Sequence, residues 1–176
     1  MADLHRVSTA VVPPFCGDLA LSDFSFLGRD SLSTFRAEML VECRSIGEIG
    51  RFIDSRDSLP SALRGFLMPY SREKYLAKEA RLFLTLDGRG GFALIRDELA
   101  SLFSLPGARY GDMLVRSAVG EGACKLSCFD STGKLVSLYA RHGFQEKVRS
   151  CWNDALAPRE WDYAAWGRPD YVEMSR

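Results

Sequence analysis

The chain has 176 residues, 47% of them hydrophobic and 26% charged, and its 23 Lys plus Arg cancel its 23 Asp plus Glu. That composition excludes an intrinsically disordered chain, a collagen-like repeat and a coiled coil. It lacks the strongly basic balance of a general polyanion binder, and the length suits one domain, residues 1–176, with a sizeable core.

Residues 4–12 hold Val7, Val11 and Val12 and are expected to open the fold as a strand. Helical spacing follows. Asp30 is placed to cap a helix through Leu32, Phe35, Met39, Leu40 and Cys43, and shorter helices are expected to hold Ile46, Ile49, Phe52 and Ile53, then Leu63, Phe66 and Leu67. The basic cluster Arg64, Arg72, Lys74, Lys78 and Arg81 reads as a solvated helix face. From Arg81 the period changes to two. RLFLTLD (81–87), GFALIRD (91–97) and ELASLFS (98–104) predict an antiparallel meander, with Gly88, Arg89 and Gly90 as the first turn. LPGARYG (105–111) is a loop, residues 111–121 carry Met113, Leu114, Ser117 and Ala118 at helical spacing, and ACKLSCF (123–129) reads as a strand. Strand, helix and strand in about 30 residues form a crossover whose two strands should be parallel. A helix over 132–142 ended by Gly143, a strand over 145–152, a Pro- and Trp-rich loop and a strand near 171–174 complete the order.

No segment approaches the roughly 18 apolar residues of a membrane span, and MADLHRVSTAVVPPF has no basic region followed by a long apolar one. The expectation is a cytoplasmic protein. Cys16, Cys43, Cys124, Cys128 and Cys151 are odd in number and contain no C-x-x-C pair, so they read as reduced thiols. With His5 and His142 the only histidines, no metal site is expected, and a Ser-His-Asp or Cys-His hydrolase is disfavoured.

Chemistry is expected in two places. Gly107 and Gly111 stand in a loop that opens a helix, where free backbone N–H groups and the helix dipole favour phosphate; Gly there also serves plain turn geometry. The loop has neither the Walker A nor the G-x-G-x-x-G spacing. Farther on, Tyr139 precedes Gly143 and Phe144, where its phenol can give a proton to a leaving thiolate or simply pack with Leu135.

In this order and spacing, residues 81–174 resemble the GNAT-type N-acetyltransferase superfamily. The run GACKLSCFD, LVSLYARHGF and APREWDYAAWGRPDYVEM is similar to GNAT-like proteins of phage and mobile-element genomes. The resemblance implies an α/β (α+β mixed) fold: a central mixed sheet of six to seven strands, helices on both faces, a helical elaboration over 1–80 on the acceptor side and a cofactor-binding core over 81–176. It implies transfer of an acetyl group from acetyl-CoA, the cosubstrate, to an amine. Backbone groups of Leu102, Phe103 and Ser104 and the loop Gly107, Ala108, Arg109, Tyr110 and Gly111 would bind the cofactor, and Tyr139 would be the general acid. The loop departs from the usual Gln/Arg-x-x-Gly-x-Gly/Ala, with Pro106 at the first position and Arg109 in place of the middle Gly, and Thr132 stands where an Asn is frequent.

An ammonium acceptor must lose a proton, and the candidate bases are Asp130, at the carboxyl end of its strand, and Glu98, at the start of the preceding one. Asp130 also suits a helix cap before Ser131 and Thr132. Cys128 reads as a buried inert thiol. The cluster Trp152, Trp161, Tyr163 and Trp166 suits an acceptor pocket or a lid on the core; base stacking beside Arg149, Arg159 and Arg168 is the weaker reading at neutral net charge. A non-catalytic binding module of the same fold is the alternative, favoured by Pro106 and Arg109. A homodimer is compatible with either.

Overall fold

The computed structural model describes residues 40–176. The strand expected over 4–12 and most of the helix expected after Asp30 lie outside the described residues. The C-terminal end of that helix is extended instead: β1 (Leu40–Glu42) pairs antiparallel with the strand that follows, Leu40 opposite Thr85 and Glu42 opposite Phe83. The backbone groups of Leu40 to Cys43 gain more from that open strand edge than from the last turn of a helix, and the Cys43 amide continues the pairing onto the Leu82 carbonyl at 2.7 Å.

Helix α1 (Ile46–Asp57) starts with a capping box, in which Ser45 Oγ accepts from the Glu48 amide and the Glu48 carboxylate accepts from the Ser45 amide. Helix α2 (Ser61–Arg64) is a single turn, shorter than the spacing of Leu63, Phe66 and Leu67 suggests. Gly65 ends it where the backbone passes Trp161; a Cβ there would stand 3.1 Å from the indole and 3.2 Å from the Glu160 carbonyl. Helix α3 (Arg72–Ala77) is capped by Ser71. The basic cluster is spent on the surface, as the spacing predicts: Lys74 and Lys78 lie over the Tyr70 ring, and Arg81 binds Glu42 and Glu121.

Strands β2 (Arg81–Thr85), β3 (Gly90–Ile95) and β4 (Glu98–Ser104) form the expected meander. Helix α4 (Gly111–Gly120) crosses over to β5 (Lys125–Asp130), which is parallel to β4. Helix α5 (Lys134–Ala140), β6 (Gln145–Ser150), the one-turn α6 (Tyr163–Trp166) and β7 (Asp170–Ser175) follow. The last strand inserts between its predecessors, so the sheet order is β1-β2-β3-β4-β5-β7-β6. No described helix is long and apolar enough to cross a membrane.

Two cores lie on opposite faces of the sheet. On one, Leu114, Val115 and Ala118 of α4 and Tyr139 of α5 meet Phe92, Leu94, Leu99, Leu126, Cys128 and Val172. On the other, Ile49 and Phe52 of α1 and Tyr75 of α3 meet Leu82, Leu84, Ala93 and Phe103. Phe52 is fully buried and stands edge-on to both Tyr75 and Phe103 at 5.8 and 5.4 Å.

Gly91 sits in the inner strand β3 with no room for a side chain, since a Cβ would lie 2.5 Å from the Phe83 carbonyl oxygen and near the Phe52 and Phe103 rings. Gly91→Ala is expected to cost about 1–3 kcal/mol by overpacking. Gly120→Ala, at the open end of α4 with nothing within 4 Å, is expected to add about 0.5–1 kcal/mol. Urea unfolding of the two variants beside the parent checks both signs.

Candidate active site

The feature that opens a site is a fault in β4. Adjacent Ala93 and Leu94 of β3 face Ser101 and Leu99 of β4, so Ala100 is an extra residue with no partner, a β-bulge. Pairing of β4 with β5 is confined to Glu98 opposite Lys125 and Leu99 opposite Leu126, and stops at this bulge. Beyond it β4 stays with β3 and β5 stays with β7 along its whole length. The sheet therefore splits, and the backbone edges of residues 100–104 and 127–130 face a gap without pairing to each other. Such edges offer N–H and C=O groups to an extended ligand.

The gap leads to the loop between β4 and α4. Ser104 Oγ accepts from the Tyr110 amide at 3.1 Å, and the Ala108 amide turns back onto the Leu105 carbonyl. Gly107 and Arg109 both have positive φ, 84° and 57°. The amides of Gly107, Arg109, Gly111, Asp112 and Met113 have no partner among the described residues, and four of the five lead into or open α4. Leu102, Phe103, Ser104, Gly107, Ala108, Arg109, Tyr110 and Gly111 thus form one continuous run along the open edge and around the helix start. The first turn of α4 also holds Asp112, whose carboxylate takes His142 Nε2 at 3.0 Å and Arg116 at 3.1 Å. The His142 bond, above all, holds that carboxyl below the usual range.

A brace from the β2–β3 turn fixes this loop, and nothing in the loop's own sequence reveals it. Arg89 donates to the Pro106 carbonyl at 3.0 Å and its carbonyl accepts from the Leu105 amide; the Tyr110 phenol donates to Asp87 Oδ2 at 2.7 Å. Asp87 Oδ1 accepts from Thr85 Oγ1 and the Arg89 amide. Burial works against the Asp87 charge, yet these hydrogen bonds prevail and lower its pKa. Arg89 brings a guanidinium beside Gly107, next to the position where Pro106 supplies none.

Tyr139 is buried on α5 and stands edge-on to Phe144 at 6.2 Å. The turn Tyr139–Phe144 closes on itself, with the His142 and Phe144 amides donating to the Tyr139 carbonyl and Gly143 at φ 88°. Burial, then the neighbouring Cys128 thiol, push the phenol's pKa up, so it keeps its proton. Cys128 is itself pushed to about 12 by burial, as suits an inert thiol.

The two candidate bases fall on opposite faces. Asp130 shares the face of Leu126 and Cys128 with α5, but it is not the cap of that helix: Gly133 holds the cap position, and Asp130 Oδ2 accepts from Arg149 at 3.0 Å. Arg149 also binds Glu146 and Asp170, which ties β5, β6 and β7 together, and Asp130 Oδ1 is buried with no partner among the described residues. Glu98 lies across the sheet. It lines an open groove of about 360 Å³ with Ser127, Lys147, Tyr171 and Glu173, and makes no ion pair among the described residues. Tyr70, from the segment before α3, stands over the same side; its phenol is pushed up by burial and then by Glu98, Tyr75 and Tyr171. The tail aromatics form a lid beside this groove. Phe129 touches Trp152, Trp161, Tyr171 and Phe66, and the indoles of Trp161 and Trp166 donate to the carbonyls of Gly167 and Ala62.

A seven-stranded mixed sheet that splits between β4 and β5, joined there by a crossover helix, is the fold of solved GNAT N-acetyltransferases. The spermidine N-acetyltransferase of Vibrio cholerae, solved in complex with CoA and spermine, shares it at TM-score 0.54 and 16% identity, over 77% of this chain and 94% of that one. A chimera built on the same Vibrio cholerae enzyme matches at TM-score 0.53 and 17% identity over 77% and 93%, and a chain described as a phosphinothricin N-acetyltransferase at 0.52 and 15% over 78% and 97%. No family model and no curated protein sequence matches the chain.

Because the Cys128 pKa rises from about 9 to about 12, the folded state holds that proton after the unfolded chain has lost it. Stability is therefore lost as pH rises above about 9, at up to about 1.4 kcal/mol per pH unit for this one group. Cys128→Ala is expected to flatten the decline between pH 9 and pH 11, whatever constant offset its cavity adds; urea unfolding across that range reads the slope.

Proposed function

We propose that the chain is a cytoplasmic acyltransferase that moves an acetyl group from acetyl-CoA to an amine, built as one domain with its cofactor side over 81–176 and its acceptor side over 1–80. The observation that carries this reading is the parting of β4 and β5 at Ala100, directly upstream of the loop that opens α4. The edge of Leu102, Phe103 and Ser104 would hold the extended arm of the cofactor by backbone hydrogen bonds. The free amides from Gly107 to Met113, helped by the dipole of α4 and the guanidinium of Arg89, would hold its phosphates. Bound there, acetyl-CoA supplies an acyl group already activated as a thioester.

The remaining chemistry is proton handling by this chain's side chains. In direct transfer the amine adds to the acyl carbon to give a tetrahedral intermediate, which collapses as the carbon–sulfur bond breaks; a base takes the proton of the incoming ammonium and an acid returns one to the departing sulfur. Tyr139, on the α5 face and protonated by virtue of its burial, would protonate the sulfur as the carbon–sulfur bond breaks. Glu98, on the other face and without an ion pair among the described residues, is the better base for the incoming ammonium. Asp130, with one oxygen committed to Arg149, holds the strand ends instead. No covalent enzyme intermediate is needed, in keeping with the inert Cys128.

Calorimetric titration with acetyl-CoA and with free CoA tests the reading without an acceptor in hand. Micromolar binding, about 8 kcal/mol, is expected, and Gly111→Glu should weaken it at least tenfold by placing a second carboxylate at the start of α4. Absence of binding up to millimolar overturns the acyltransferase and leaves a binding module of the same fold. Tyr139→Phe should leave the affinity in place while slowing transfer about 100-fold, checked by thiol release with an acceptor found from an amine panel.

A further inference from the structure

The core beneath α1 and α3 contains a chain of polar groups that the scheme above does not use. Arg56 of α1 is 4% exposed; its Nη1 donates to the Tyr70 carbonyl at 2.8 Å and to the Tyr75 hydroxyl at 3.0 Å, and its Nε donates to Asp57 at 2.7 Å. Tyr75, 1% exposed, is 3.2 Å from the hydroxyl of Ser101, which is 2% exposed. Ser101 follows the bulge residue Ala100 on the strand edge that β5 no longer covers.

Proton bookkeeping shows that this chain is unfinished. A guanidinium only donates, so the Tyr75 oxygen is the acceptor of its bond with Arg56. Two hydroxyl protons, those of Tyr75 and Ser101, then share one oxygen–oxygen contact, and one proton is left without an acceptor among the described residues. Tyr75 is walled in by Phe52 and Tyr70, both edge-on at 5.8 and 5.5 Å. The arrangement that avoids a stranded buried donor has Tyr75 donating to Ser101 and Ser101 donating onward, from the strand that borders the gap. A buried cation at the far end polarises both hydroxyls in the same sense and makes the terminal proton a stronger donor.

We propose that Ser101 is the hydrogen-bond donor to the acyl carbonyl oxygen of the cosubstrate, with Tyr75 and Arg56 as the positioning residues that aim and polarise it. Negative charge grows on that oxygen during acyl transfer, and a preorganised donor in a water-poor site is the device that stabilises it. The inference rests on the acetyl-CoA reading above and adds a side-chain contact on the acyl group itself.

The test is isotope-edited infrared difference spectroscopy of acetyl-CoA, labelled with heavy carbon at the acyl carbonyl and bound to the whole chain. In the parent protein the thioester carbonyl band is expected to lie at lower wavenumber than in free acetyl-CoA. Ser101→Ala should return it towards the free position, Tyr75→Phe should reverse part of the shift, and Ser101→Thr, which keeps the hydroxyl, should retain it. Thermal unfolding of the same variants reports the loss of the buried Tyr75–Ser101 contact, and the carbonyl band, read with acetyl-CoA bound, reports the donor. An identical band in the parent and in Ser101→Ala, with acetyl-CoA bound to both, overturns the proposal and leaves the acyltransferase reading standing. Failure of the parent to bind acetyl-CoA overturns that reading, and this one with it.

Discussion

One residue too many in β4 governs the rest of this structure. Ala100 has no partner on β3, and from that point the hydrogen bonds that would join β4 to β5 are not made. Unmade backbone hydrogen bonds in a protein interior are costly, so the split sheet needs other means of cohesion. The core on the α4 and α5 face provides it by spanning the fault: Phe92, Leu94 and Leu99 from one half and Leu126, Cys128 and Val172 from the other meet the same helices. The halves are joined through side chains on one face while their backbones stay apart.

Charge is used unevenly around that frame. Most ion pairs are exposed and contribute little to stability, as with Arg51 and Glu48 or Arg116 and Asp112. Arg149 differs in geometry, because its three carboxylate partners come from the three strands of the second half-sheet. It also bears on how β6, exposed along its length at the sheet edge, avoids being an open template for other strands: Glu146, Lys147 and Arg149 are charged and bonded to partners within the fold.

Much of the second half of the chain was legible because alternation of period two is a local property. β4 has the bounds that ELASLFS suggests, and the parallel crossover to β5 followed from the length of the intervening helix. What escaped depends on distant residues. Leu40 and Cys43 fit a helix by spacing, yet the edge of β2 claims Leu40–Glu42 as a strand and takes the Cys43 amide as well. Helix α2 stops because an indole from Trp161 occupies the space over Gly65. Asp130 has the sequence context of a cap, and only the return of β6 shows that a guanidinium holds it. The members of the candidate site were readable as a list, whereas their division between two faces of the sheet required the strand register.

The contacts from the β2–β3 turn to the loop that opens α4 carry a consequence for how this sequence is free to change. Tyr110 and Asp87 are 23 residues apart, and Arg89 and Pro106 are 17 apart, yet each pair is joined by a single hydrogen bond that sets the loop's path. Tyr110 and Asp87 depend on each other's side chains, whereas Arg89 holds a main-chain carbonyl that any residue at position 106 would offer. The guanidinium beside Gly107 therefore comes from the neighbouring hairpin and not from the loop itself.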